Sequence, residues 1–222
     1  MAIKVSFEGS KKLLKELARL EQAPKKALHA TLSDVRKRAP GWVAQEVSKV
    51  YGIKKSDITS RSVGDLEMKG NGLSDLELHY SGRQLTPIHF SMTPKTPPAG
   101  HSYTLKAAFI RGKKETIGEV KKLTKKQRQA LGKNFRKQDR IASMSSPYLL
   151  MGTKAKSDDK VQYIPFQRRE EWKSDKTPRG VRPMKNISLP QMIDGRARPG
   201  IEQAINENVE KRLTHNMNRF LK

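Results

Sequence analysis

Cysteine is absent from the 222 residues, which excludes disulfides, thiolate nucleophiles and cysteine-type zinc sites together. Apolar runs are short. The longest is only a few residues, far below the roughly 20 that span a bilayer, and Met1 to Phe7 lacks the apolar core of a signal peptide. The expectation is a cytosolic product with no membrane contact. Aromatics are scarce at 6%, and acidic charge is in deficit, with 22 Asp and Glu against 46 Lys and Arg for a formal charge of +24. Such an imbalance raises self-repulsion until a polyanion or an acidic protein surface neutralises it. Partners are therefore expected to be nucleic acid phosphates or acidic subunits.

Apolar residues make up 35%, concentrated in the first fifty and last twenty-five positions. Ile3, Val5 and Phe7 alternate like a half-buried strand, and Ser10 stands where it can cap a helix carrying Leu13, Leu14, Leu17 and Leu20 on one face. Pro24 suits the first turn of a second helix, with Leu28, Leu32, Val35 and Ala39 on its buried side. Pro40 and Gly41 predict a kinked or broken helix pair up to Val50. A short helix is predicted near Ser56 and Asp57. Leu66 and Met68, then Leu76, Leu78 and Tyr80, alternate on either side of Gly70-Asn71-Gly72 and predict a β-hairpin. Ile88 with Phe90 predicts a third strand and Tyr103 to Phe109 a fourth, with shorter strands around Tyr148 and Leu150 and around Val161, Tyr163 and Phe166.

Residues 111–142 read as a lysine-rich arm without apolar period: an exposed helix, an extended arm or a loop ordered by a partner. Its partner-binding residues are Lys113, Lys114, Lys121, Lys122, Lys125, Lys126, Arg128, Lys133, Arg136 and Lys137. A second polar segment, about 154–186, reads as extended. The clearest element is the last: from Pro199, Ile201, Ile205, Val209, Leu213, Met217 and Phe220 or Leu221 form one apolar stripe. The fold class is α+β. A mixed or antiparallel sheet is packed by a long kinked helix and a C-terminal amphipathic helix, in a single domain over 1–222 with basic extended arms.

The residue pattern offers no catalytic, cofactor or metal constellation. His29, His79, His89, His101 and His215 are scattered without ligand spacing, and the adjacent pairs Asp158-Asp159 and Glu170-Glu171 point to opposite sides of an extended chain. Gly70-Asn71-Gly72 lacks the lysine and hydroxyl residue of a phosphate loop. The protein is expected not to be an enzyme and to need no cofactor.

Three stretches together resemble the minor tail protein Z family of tailed bacteriophages and prophages. The opening strand, short helix and long helix ending in Val50-Tyr51-Gly52-Ile53 form the first, and Lys54 to Arg61 before a basic hairpin the second. The third is Ser188-Leu189-Pro190-Gln191-Met192, similar to the family's Ser-x-Pro-Gln-Met signature, ahead of the terminal helix. On the residues alone, Pro190 stiffens this approach while Leu189, Met192 and Ile193 pack on the sheet and aim the helix. The resemblance implies a structural protein of the virion tail, assembled in the host cytoplasm. It would complete the tail at its head-proximal end, meeting tail, tail-terminator or neck subunits as a homo-oligomeric ring. The second reading is a nonspecific nucleic-acid-binding protein touching DNA through its basic arm.

Overall fold

The computed structural model describes residues 2–4, 22–98, 102–120, 148–154, 161–169, 171, 173–174 and 180–220. The expected Ser10-capped helix with Leu13, Leu14, Leu17 and Leu20, and the strand positions Val5 and Phe7, lie outside them. The architecture is α+β, with antiparallel strands in small sheets. The chain divides into two compact units, Met1–Gln84 with Ile187–Lys222, and Leu85–Asn186.

The first unit is built on two long helices. Helix α1, Gln22–Val50, buries Ala27, Thr31, Leu32, Val35, Ala39, Val43, Ala44 and Val47, a stripe of three- and four-residue steps. That stripe runs through Pro40 without interruption, so the helix is continuous, which removes the broken alternative of the expected kinked or broken pair. Proline deprives only the Arg36 carbonyl of its helical partner. Burial on both sides of the gap holds the helix together. A single turn, α2, Lys55–Ile58, follows with Asp57 in its first turn and Ile58 fully buried. Strands β1 (Ala2–Lys4), β2 (Gly64–Lys69) and β3 (Glu77–Gly82) form a sheet in the order β1-β3-β2, with Leu66 opposite Tyr80 and Met68 opposite Leu78. The hairpin is as expected, but its connection runs from Gly70 to Leu76 and contains a 3-10 turn, Leu73–Asp75. Leu73 and Leu76 are both buried, which draws this loop onto the core.

Two helices close the unit: α3, Leu189–Asp194, and α4, Arg198–Phe220. Helix α4 is about 34 Å long and packs along α1. It buries Ile201, Ile205, Val209 and Leu213 as expected, yet the next buried position is Asn216, and Met217 is only half-buried. A last step of three residues after three steps of four brings Asn216 into the seam.

In the second unit, β4 (Tyr103–Ile110) pairs with β5 (Lys113–Val120), and β6 (Tyr148–Lys154), β7 (Val161–Arg168) and β8 (Val181–Pro183) form an antiparallel sheet in that order. Two expectations are corrected. Ile88 and Phe90 do not form a strand: Pro87 starts a 3-10 turn, Pro87–His89, because its fixed φ and missing N–H suit a first helical position. Phe90 still reaches the core, and its carbonyl accepts from the Ala108 N–H at 2.8 Å. The start of the expected arm is also regular structure, since 113–120 is strand β5, whereas β6 and β7 stand where short strands are expected around Tyr148 and Leu150 and around Val161, Tyr163 and Phe166.

Candidate functional site

The Ser188 to Met192 stretch is a helix start whose side chains cap themselves. Ser188 is the N-cap of α3, in extended conformation (φ −92°, ψ 163°). Its Oγ accepts from the Gln191 N–H at 3.4 Å, while Gln191 Oε1 accepts from the Ser188 N–H at 2.9 Å and from the Ser188 hydroxyl at 3.0 Å. This reciprocal pair satisfies amide groups that a helix otherwise leaves open at its start. Pro190 occupies the first turn, where no amide hydrogen is needed. Leu189, Met192 and Ile193 are fully buried, so one short segment supplies both the polar cap and three apolar anchors. The antiparallel bridge from Gln84 to Ser188 ties the cap to the chain just beyond β3.

The other end of α3 is fastened from beneath. The Tyr80 hydroxyl, on β3, donates to Asp194 Oδ1. Tyr80 is buried, and burial first, then the hydrogen bond and negative charge of Asp194, holds the phenol well above its ordinary value, with Arg198 opposing the shift. The hydroxyl therefore stays a donor across the physiological range. Gly195 ends α3, its N–H donating to the Gln191 carbonyl at 3.1 Å. A Cβ there would lie 2.7 Å from that carbonyl oxygen and 3.0 Å from the Tyr51 hydroxyl. Only glycine fits without displacement. The chain turns and enters α4, where the Arg198 guanidinium pairs with Glu202 at 2.9 Å. A shallow groove over this junction is lined by Gly82, Gln84, Ser188, Pro190, Gln191 and Asp194.

Along the α1–α4 seam lies a polar relay with no counterpart among the residues that the sequence singles out. Asn216 Nδ2 donates to Thr31 Oγ1 at 3.1 Å and approaches Asp34 Oδ2 at 3.5 Å, while the Thr31 hydroxyl donates to the Ala27 carbonyl at 2.8 Å. Thr31 and Asn216 are both buried. Met217 at the adjacent position conceals this site in the sequence, because either residue continues a helical stripe.

Of the expected partner-binding cations, Lys113 and Lys114 sit exposed at the start of β5. Lys113 Nζ is 3.3 Å from Glu115 Oε1. Lys121, Lys122, Lys125, Lys126, Arg128, Lys133, Arg136 and Lys137 lie outside the described residues, as do Asp158, Asp159, Glu170 and His101. His79 Nε2 stands 3.4 Å from Glu77 Oε2 on the exposed sheet face, and His29, His89 and His215 fall on α1, the 3-10 turn and α4. Among the described residues there is no group of three or more His, Asp or Glu that could hold a metal ion. None of their helices is long and apolar enough to cross a membrane. No family model matches the chain, and no curated protein or solved structure matches it significantly.

Proposed function

We propose that this chain is a structural component of a bacteriophage or prophage tail that completes the tail and joins its head-proximal end to the head or neck. The observation that carries the reading is the Ser188–Met192 segment. In the family it resembles, this signature precedes the terminal helix; here the same residues cap α3, anchor it in the core and lead through Gly195 into α4. A segment that fixes the bearing of a long terminal helix suits a subunit whose work is geometric fit. Assembly then proceeds by burying interface between copies in a closed ring and against tail-terminator or neck subunits. No step of bond chemistry is required of any side chain.

Complementation tests this reading. Removing the gene from its phage or prophage is expected to leave filled heads and separate tails, with joined particles restored by the full chain supplied in trans. Joined, infectious particles in its absence would overturn the proposal.

A further inference from the structure

The positive charge is divided unevenly between the two units. Residues 85–186 hold 24 of the 46 Lys and Arg and 8 of the 22 Asp and Glu, a net +16, whereas the rest of the chain nets +8. The smaller share of the sequence therefore carries the larger share of the charge. Within the described part of that unit, the β4–β5 hairpin carries Lys106, Arg111, Lys113 and Lys114 against Glu115 and Glu119. Lys106 pairs in register with Thr116, which places Lys106, Thr116 and Lys114 on the same, exposed face. Arg111 and Gly112 form the two-residue tip between Ile110 and Lys113, with Gly112 at φ +80°. Leu105 and Ala107 take the opposite, buried side.

We infer that this hairpin binds the phosphate backbone of duplex nucleic acid without regard to sequence. Shape is the first reason. A two-stranded β-ribbon is one of the elements the major groove of B-DNA admits, and this ribbon carries register shifts at Leu105/Lys106 and Ala107/Ile110, bulges that bend and twist it. Composition is the second. An interface with an acidic protein has an apolar or aromatic centre, but the exposed face here offers Lys106, Lys114, Thr116 and the Arg111-Gly112 tip, with Glu119 as its one acid, opposite Thr104 at the end away from the tip. The third is the lack of a stacking platform such as single-strand binders use: Phe109 is turned into an edge-on contact with Phe90, ring centroids 5.3 Å apart. Cations on a narrow ribbon whose aromatics, Tyr103 and Phe109, are both half-buried contact phosphates and do not read bases. Nothing in this depends on the chain being a tail protein.

The test is a salt titration of the full chain against a fluorescent duplex of about 20 base pairs, followed by anisotropy. The wild-type chain binds unrelated DNA sequences alike, with a log–log slope set by about 0.9 per neutralised phosphate. K106Q/R111Q/K113Q/K114Q is expected to lower that slope by about 3, and R111Q alone, at an exposed turn, by about 1. The charge-keeping variant K106R/K113R/K114R must retain the wild-type slope. A control on the other unit, K25Q/K26Q/K37Q/R38Q on the exposed side of α1, is expected to change neither slope nor affinity. The inference fails if the full chain does not bind duplex near 50 mM salt, or if the α1 control lowers the slope as much as the hairpin variant. Tighter capture of poly-glutamate than of duplex would also refute it, assigning the hairpin to an acidic protein. Duplex RNA, whose major groove is too deep and narrow to admit the ribbon, is expected to bind more weakly than duplex DNA at equal salt, and equal binding would overturn the groove-seated placement of the hairpin.

Discussion

Tyr80 shows how one hydroxyl couples the sheet to the junction with the terminal helix. Its donation to Asp194 crosses 114 positions of sequence and fixes the C-terminal end of α3 over β3. A hydrogen bond to a charged acceptor contributes about 1.5–3 kcal/mol, reduced here because Asp194 is itself exposed. Y80F is expected to cost about 1 kcal/mol in urea unfolding at neutral pH. The pH dependence has a definite sign. Because the folded-state value of Tyr80 is raised, its contribution is complete below the ordinary tyrosine value of about 10 and declines as pH rises above it, when the unfolded chain ionises and the folded one resists. The stability gap between wild type and Y80F should therefore narrow above about pH 10, where the other tyrosines cancel between the two proteins. A gap that widens there would place the hydroxyl outside this bond.

At the scale of elements, the α1–α4 pair carries most of the first unit, and Asn216 sets its register. Long isolated helices are marginal in water, so the buried faces supply their stability. Ile201, Ile205, Val209 and Leu213 give the seam its apolar content; Asn216 and Thr31 allow only the alignment in which their side chains meet. N216A, which strands the Thr31 hydroxyl's acceptor side and opens a cavity, is expected to cost about 1–3 kcal/mol. N216D is expected to cost more, since it sets a second carboxylate beside Asp34, at the approach that is 3.5 Å in the native chain. Unfolding midpoints for both variants equal to that of the wild type would show the relay to be incidental. These elements differ in how far the sequence betrays them. Both long helices, the β2–β3 hairpin and β4 are legible because apolar spacing is dense and matches one period. Strand β5 is hidden: Lys113, Lys114, Glu115 and Glu119 mask the strand character of Thr116, Ile117 and Val120, and only pairing with β4 reveals it. Pro87 overrides the alternation that suggests a strand at Ile88 and Phe90. The capping role of Ser188 is hidden behind the motif's apolar residues, although serine followed three positions later by glutamine is the pattern of a capping box.

For the whole molecule, the two units differ in build and in charge. One has two long helices, a small sheet and a net charge of +8; the other has short antiparallel strands and a net charge of +16. Under the two proposals, the first unit supplies geometric fit and the second phosphate contact, and a tail-completion subunit at the end facing the head would have use for both. Cryo-electron microscopy of assembled particles, locating every copy of the chain, decides whether it is a tail-completion subunit. A ring of copies at the head-proximal end of the tail is expected, with the α1–α4 unit in the interface between neighbours. Density for the chain at the distal tip, or mature particles that contain none of it, would rule that role out.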